Sequence, residues 1–344
     1  MFFSMYMNLI FIPILILSPI LCISSNNWLS MWISLELNML SFIPLLIFNK
    51  KFSNDSLILC FLIQSLSSSI FLLSLLYFFF QFNYLEKFLF LIFNKLILLS
   101  LFLKLGIFPF HFWFIKLIKS SSWMNCFIIT SFQKIIPMII LFNIFIHYIM
   151  FFPLIIFSSF MSMFLSFNMM NLRSILGYSS INHTSWMLTS IPFNKLFWMF
   201  YLIFYSIILF SLINLFNMFN LNYINQMNLI FKLNKNLMKI IIFFNLISLG
   251  GMPPFLGFLS KWLIINLSLN FNLHSQIFLL ILCSLSFLYI YISIFINMMM
   301  MNFSINFSIS MNFFLKMNYI NLNLTKFVFM FLSMYIFLFF LFLF

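Results

Sequence analysis

Long apolar runs are the feature that most limits what this chain can fold into. Apolar residues make up 65% of its 344 residues and charged residues only 6%, whereas soluble domains carry about 25% charged residues. So few polar side chains cannot coat a surface in water, which makes a lipid bilayer the solvent. At about 20 residues per membrane helix, the length allows about ten to twelve spans and leaves no aqueous domain for nucleotide or cofactor chemistry.

Short polar breaks divide these runs and predict an all-α polytopic membrane protein with about eleven transmembrane helices. The predicted spans lie near 3–23, 27–48, 57–80, 88–119, 123–145, 148–168, 173–191, 196–218, 238–270, 275–298 and 324–344. The spans at 88–119 and 238–270 are interrupted. Segment 299–323 is the longest connection, and its Met-rich and Asn-rich composition suits the membrane surface.

The basic residues give the predicted topology. They are scattered singly and form no basic face, so nucleic acid is not expected as a partner. Loops on the side from which a protein inserts hold the excess of Lys and Arg. Even-numbered loops contain Lys50, Lys51, Lys116, Lys119, Arg173, Lys232, Lys235, Lys239, Lys316 and Lys326, whereas odd-numbered loops contain Lys87 and Lys195. This asymmetry places the N-terminus on the insertion side and the C-terminus on the other.

Neither the cysteines nor the histidines form a recognisable metal or haem motif. The cysteines stand far apart in apolar runs without a CxxC pair and are interpreted as small buried hydrophobes: Cys22, Cys60, Cys126 and Cys283. The histidines fall in different segments, so no helix offers a pair of haem ligands: His111, His147, His183 and His274. A cytochrome is therefore disfavoured.

Ionisable side chains lie inside predicted spans, where each costs about 2.5–3.5 kcal/mol. Glu36 is central in the second span and too short to reach the surface, and Lys134 is central in the fifth, next to Gln133. Lys95 is near enough to the start of its span to extend outward along its methylenes. Static ion pairs between helices and a proton path both remain open for Glu36 and Lys134.

Two interrupted helices carry the other buried lysines. Lys104 precedes one break and Lys261 follows the second, and the breaks hold the helix-breaking residues Gly106, Pro109, Gly250, Gly251, Pro253 and Pro254. Freed backbone groups are tolerated in a membrane only against protein or water. Interrupted helices in both halves point to inverted repeats around a midplane path, which predicts five-helix repeats at 1–145 and 146–298, a connection at 299–323 and a final helix at 324–344.

The two lysines at the breaks differ in their predicted electrostatic setting. Lys104 ends a half-helix, where the helix dipole favours a cation, whereas Lys261 lies near the start of the next half-helix, where the dipole opposes one. His183 stands in a run of hydroxyl and amide side chains, Tyr178 to His183. That run supplies donors and acceptors for ordered water, although a lone histidine is also often a hydrogen-bonded interior residue.

Several motifs in order resemble the antiporter-like membrane subunits of mitochondrial NADH:ubiquinone oxidoreductase, respiratory complex I. The resemblance covers about residues 25 to 265 and rests on Asn26-Asn27-Trp28, Leu35-Glu36-Leu37-Asn38, Ser41 to Pro44, Lys104 to Trp113, Trp123 to Asn125, Gln133 to Pro137, Arg173 to Met187 and Ser248 to Trp262. Ser185 and Ser260 depart from the usual glycine and proline of that family.

The resemblance implies a proton relay with assigned roles. Glu36 and Lys104 would form the coupling ion pair of the first half-channel, and Lys134 would be the central bridging lysine. His183 would be a relay of the second half, and Lys261 the lysine at the second broken helix. Proton translocation would be coupled to electron transfer in other subunits.

The resemblance also implies the setting of the chain. It would be a subunit of the H⁺-translocating NADH:ubiquinone reductase without redox chemistry of its own, with NADH, FMN, iron–sulfur clusters and ubiquinone in other subunits. Its partners would be the lipid bilayer and other membrane subunits of the complex, including further antiporter-like ones. It would lie in the mitochondrial inner membrane with its N-terminus on the matrix side and its C-terminus on the intermembrane side. The lack of alanine and the single valine are typical of an AT-rich organelle genome.

Two other interpretations fit the same buried charges. A stand-alone cation/proton secondary antiporter would be active as an isolated protein, whereas a complex subunit would be inert alone. A structural scaffold with static ion pairs would tolerate loss of Lys104 or Lys134 as long as the complex assembled.

Overall fold

The computed structural model describes residues 2–48, 54–80, 86–144, 148–193, 195–227, 236–253, 255–271 and 273–300. Within these ranges the regular structure is helical, apart from one antiparallel bridge between Asn171 and Tyr223. A bilayer offers backbone N–H and C=O groups no partner, so an apolar chain satisfies them inside helices. The all-α prediction is confirmed for the described residues.

The helices follow the predicted apolar runs. Their bounds are α1 Phe2–Ser24, α2 Trp28–Phe48, α3 Asn54–Phe80, α4 Glu86–Leu105, α5 Phe112–Ser120, α6 Trp123–Thr130, α7 Phe132–Asn143, α8 Tyr148–Phe167, α9 Leu172–Ser190, α10 Lys195–Met218, α11 Asn236–Gly250, α12 Leu256–Asn270 and α13 His274–Met300. A 3₁₀ turn occupies Ile224–Met227. The predicted helix at 324–344 and the connection at 299–323 lie outside the described residues.

Five helical stretches among the described residues are long and apolar enough to cross a membrane. They are Trp28–Ile47, Asp55–Leu76, Trp123–Asn143, Phe197–Met218 and His274–Ile296. Shorter apolar helices occupy Leu9–Ser24, Phe152–Phe167 and Ile240–Gly250. Large apolar side chains such as Leu9, Leu29 and Leu66 are exposed on helix surfaces, as expected where a helix faces lipid.

The predicted fifth span is divided in the structure. Helices α6 and α7 meet at Ser131, whose φ of −115° and ψ of −70° depart from helical values. Two consecutive hydroxyls bond back to the preceding turn: Thr130 Oγ1 donates to the Cys126 carbonyl at 2.8 Å and Ser131 Oγ to the Phe127 carbonyl at 2.6 Å. Such bonds compete with the backbone and bend helices. The predicted span at 123–145 is present as the apolar stretch Trp123–Asn143, with a division at Ser131 that the sequence did not predict.

The first compact unit comprises residues 1–166 and 173–195. Its helices pack mainly as neighbours in sequence, α1 on α2, α2 on α3 and α3 on α4, while α7 contacts α1, α2 and α4. Residues 174–190 of α9 are buried throughout. This unit contains Glu36, Lys104, Lys134 and His183.

The second compact unit comprises residues 167–172 and 196–344. In its described part α11 packs against α12 and α13, and the Leu172 N–H donates to the Asn222 carbonyl at 3.0 Å. Ser211 Oγ donates to Asn245 Oδ1 at 2.7 Å, which joins α10 to α11. This unit contains Lys261. The division into five-helix repeats at 1–145 and 146–298 stays a prediction.

Candidate functional site

Helix α4 stops one residue after Lys104 because Gly106 adopts a left-handed conformation, with φ of 65°. The Gly106 N–H bonds the Leu103 carbonyl and the Ile107 N–H bonds the Phe102 carbonyl, both at 3.3 Å, which is the Schellman pattern of helix ends. A Cβ at position 106 would lie 2.7 Å from Phe114 Cβ. Conformation and space therefore both require glycine. Pro109 follows within the break, and α5 begins at Phe112.

The second break repeats this local geometry. Gly251 has φ of 85°, its N–H bonds the Ser248 carbonyl at 3.1 Å, and the Met252 N–H bonds the Ile247 carbonyl at 3.4 Å. Gly250 is the last residue of α11, and Pro253 follows in the turn. Pro254 lies outside the described residues. Both interruptions are thus Schellman caps built on a glycine.

Lys104 lies in the last turn of α4 with only 7% of its surface exposed. Its side chain lines a small cavity beside Asn38 and Gln133. Glu36, half-buried on α2, interacts with it electrostatically. No described residue accepts a hydrogen bond from its ammonium. The C-terminal end of α4 favours a positive charge there, as the sequence predicts.

Lys134 is 2% exposed and bonds to a backbone carbonyl. Its Nζ donates to the Ser180 carbonyl on α9 at 2.8 Å and lies 5.2 Å from the centre of the Phe114 ring. A hydrogen bond from a charged donor returns about 1.5–3 kcal/mol, which is comparable to the cost of placing the lysine in the membrane. The ammonium is therefore held without a carboxylate.

Helix α9 carries the polar lining next to Lys134. Six of its buried hydroxyls donate to a carbonyl three residues earlier in the same helix: Ser179, Ser180, Thr184, Ser185, Thr189 and Ser190. His183 is 5% exposed and lies one turn beyond Ser180. The helix therefore places a buried titratable ring near the carbonyl that holds Lys134.

Lys261 is 6% exposed in the second turn of α12. Its Nζ reaches back to the Gly250 carbonyl at 2.7 Å, and Gly250 ends the preceding half-helix. The ammonium thus sits at the negative end of the α11 dipole. The sequence predicts that the α12 dipole opposes this cation, and the bond to the Gly250 carbonyl adds the favourable end of α11.

Gly251→Ala should displace Lys261 and lower proton translocation by about tenfold, since one bond to a charged group is worth about 1.5–3 kcal/mol. An added Cβ would lie 2.7 Å from Lys261 Nζ, and φ of 85° strains any residue with a Cβ. The rate is to be measured in the assembled complex in liposomes. The neighbouring exposed Met252→Ala should leave it unchanged, and an equal loss in both variants would contradict the role of Gly251.

The structure relates the predicted site residues of the first unit in two ways. Glu36 acts on Lys104, and Lys134 bonds the helix that carries His183. Lys261 contacts Gly250 within the second unit. Lys95 is exposed. The four cysteines are buried, and the described residues hold no cluster of three metal-ligating side chains.

Sequence reasoning missed one feature of the site, a pair of amides. Asn38 Nδ2 donates to Gln133 Oε1 at 3.1 Å and Gln133 Nε2 to Asn38 Oδ1 at 3.3 Å. The signal was present, because an uncharged amide inside a membrane span needs a partner. Asn38 lies two residues after Glu36, and Gln133 directly precedes Lys134.

Fold and site together define a helical membrane protein that buries lysines at interrupted helices. The family model described as NADH:quinone oxidoreductase/Mrp antiporter, transmembrane, matches residues 25–288. The chain belongs to this family.

Relatives and solved structures agree with this assignment. The chain is 40% identical over 276 residues to NADH-ubiquinone oxidoreductase chain 2 of Anopheles gambiae, covering 79% of each chain. It is 34% identical over 272 residues to the protein of the same name from Oryctolagus cuniculus, covering 75% of this chain and 76% of that one.

Two solved structures share the fold. A chain of respiratory complex I from Thermus thermophilus with bound aureothin superposes with a TM-score of 0.74 at 20% identity, over 81% of this chain and 67% of that chain. A chain of the Mrp complex from a Dietzia species gives a TM-score of 0.72 at 15% identity, over 83% of this chain and 59% of that chain.

Proposed function

We propose that this chain is a proton-translocating membrane subunit of NADH:ubiquinone oxidoreductase and lies in the mitochondrial inner membrane. The family match and the relatives named NADH-ubiquinone oxidoreductase chain 2 support this function. As a subunit of an H⁺-translocating enzyme it moves protons, while NADH, FMN, iron–sulfur clusters and ubiquinone react in other subunits. Its partners are other membrane subunits, including further antiporter-like ones, and lipid.

One observation carries the relay rather than the static ion pair. The chain has only three acidic residues, Glu36, Asp55 and Glu86, of which Glu36 alone is central in a predicted span. Lys134 and Lys261 instead bond neutral backbone carbonyls. A lysine held by a carbonyl can give up its proton without leaving an unpaired carboxylate in the membrane. The buried lysines are therefore suited to change their protonation during turnover.

The proposed sequence of events follows the chemistry of each group. Pairing between Glu36 and Lys104 changes with electron transfer elsewhere, and this shifts a proton toward Lys134. His183 on α9 continues the path to the second half, which ends on Lys261. The insertion-side lysines favour an N-terminus in the matrix and a C-terminus in the intermembrane space.

Lys104→Met tests this function in the assembled complex reconstituted in liposomes. A group that donates or accepts a proton in the limiting step contributes about 100-fold or more to a rate. Proton translocation should therefore fall about 100-fold or more. Lys95→Met is the matched control, because Lys95 lies exposed on the same helix. Retained pumping in an assembled Lys104→Met complex would refute the relay.

A stand-alone antiporter is the alternative, and the fold shared with a chain of an Mrp complex is the observation that favours it. The purified chain alone in liposomes, driven by an imposed cation or proton gradient, distinguishes the two. We expect no exchange above the leak of empty liposomes. Exchange that is lost in Lys134→Met would instead establish the antiporter.

A further inference from the structure

A small enclosed space separates α2, α3, α4 and α7 within the first unit. Its polar wall consists of Asn38, Gln64, Lys104 and Gln133, and its volume open to a water centre is about 10 Å³. A cavity needs about 10–15 Å³ of this measure to hold one water, together with two to four polar partners. The space therefore matches a single water molecule in size and in chemistry.

The amide pair forms one side of this space. Asn38 and Gln133 exchange two hydrogen bonds, at 3.1 and 3.3 Å, and so tie α2 to α7. Each amide has two N–H donors and an oxygen with two lone pairs. The mutual bonds use one donor and one lone pair of each amide, so each amide retains one N–H donor and one oxygen lone pair for another partner.

The opposite side is formed by Lys104. Its ammonium has three N–H donors, it is 7% exposed, and no described residue accepts from it. Glu36 acts on this charge through space, but a buried charge without hydrogen bonds is costly. An acceptor small enough for the cavity, with a donor of its own for the amide oxygens, would satisfy the lysine and the amides together.

We propose that this cavity binds one water molecule that accepts a hydrogen bond from Lys104 and donates to the Asn38–Gln133 amide pair, and that the pair is a positioning element for Lys104. The inference rests on the proposed function only for the consequence of this positioning. Asn38 follows Glu36 by two residues and Gln133 precedes Lys134 by one. The water and the amide pair therefore link α2, which carries Glu36, to α7, which carries Lys134. In the proposed relay these two residues are the neighbours of Lys104.

Gln133→Met tests the positioning role, because it keeps the side-chain length and removes the amide. The variant loses neutral hydrogen bonds to Asn38 and to the water, each worth about 0.5–1.5 kcal/mol, so the translocation rate of the assembled complex should fall about tenfold. Exchanging the amides, with Asn38→Gln and Gln133→Asn in one chain, should restore the rate to within about threefold of the natural chain. If the amide pair had a purely structural role, the exchanged pair would restore the amount of assembled complex but not the translocation rate per complex.

Asn143→Leu is the matched control. The Asn143 amide also joins α7 to α2, through Met31 Sδ at 3.9 Å, but it does not line the cavity. It should pump normally. Full pumping in Gln133→Met, equal losses in Gln133→Met and Asn143→Leu, or an exchanged pair that assembles without regaining the rate would overturn the positioning role.

A density map of the natural complex at a resolution that shows water tests the site itself, even if a variant fails to assemble. Density within about 3 Å of Lys104 Nζ and of an amide oxygen is expected, and an empty cavity would overturn the inference. Lys104→Met separates the two proposals. If the Lys104→Met complex pumps normally, the proposed function fails, and the density map remains the test of the water site. If it is inactive and Gln133→Met is not, only the inference fails.

Discussion

Lys134→Met is expected to abolish proton translocation by the assembled complex, with the residual rate at or below the leak of the liposomes. Lys134 is the most deeply buried of the three lysines, 2% exposed, and its one hydrogen bond to a described residue goes to the Ser180 carbonyl on α9. Methionine keeps the length and apolar character of the stem and removes the proton carrier. Loss of a proton-transfer group costs about 10²–10⁴ in rate, which exceeds what a pumping assay resolves.

The measurement is acidification of the liposome interior on addition of NADH and quinone, normalised to the amount of assembled complex. Lys119→Met serves as the control, since Lys119 is exposed at the end of α5. Pumping by an assembled Lys134→Met complex would favour the scaffold, in which buried lysines only hold helices together. Failure of Lys134→Met to assemble would show instead that its bond to α9 is structural.

Gly257→Ala is expected to prevent accumulation of the folded chain. A Cβ at this position overlaps the backbone carbonyl oxygen of Ser248, and the α-carbon of Gly251 lies 3.7 Å away. Backbone atoms of a helix cannot move aside as the end of a side chain can. Overpacking costs about 1–3 kcal/mol where side chains yield and more where they do not. The cost therefore falls on the contact between α11 and α12 that also places Lys261.

Quantifying assembled complex on native gels, and its half-life on warming, measures this effect. Gly177→Ala is a suitable comparison, because its Cβ would meet the Cδ1 atoms of Ile115 and Ile118 at 3.0 and 3.2 Å. Those methyl groups end flexible side chains and can shift by a few tenths of an ångström. Normal amounts of Gly257→Ala would contradict the close approach of the two half-helices.

The helices could be predicted from the sequence because backbone N–H and C=O groups in a bilayer have to be satisfied within the helix. Apolar runs of about 20 residues have one solution in lipid, and each of the first ten predicted spans corresponds to described helices. Gly106 and Gly251 marked the ends of α4 and α11 because only glycine adopts positive φ without strain. The division at Ser131 could not be predicted, since serine and threonine occur inside many helices and only the backbone shows which carbonyl they take.

The charged residues of the site could be predicted from the sequence, but the hydrogen-bond partners of Lys134 and Lys261 could not. A charge in an apolar run is conspicuous, so Glu36, Lys104, Lys134 and Lys261 stood out. The partners of Lys134 and Lys261 are the backbone carbonyls of Ser180 and Gly250, and every residue has a carbonyl, so composition gives no sign of them. The reach of the Lys261 side chain could not be predicted either, because only the structure shows that its Nζ bonds the Gly250 carbonyl.

The hydroxyls of α9 bear on the sign of the charge that this protein conducts. Because six of them spend their only hydrogen on the carbonyl three residues earlier, these six offer only lone pairs to other groups. A lining of lone pairs stabilises a surplus of H⁺ on neighbouring water, imidazole or amine and repels OH⁻. In the proposed relay, current through the first unit would therefore be carried by excess protons, and the hydroxyls of α9 would set that polarity.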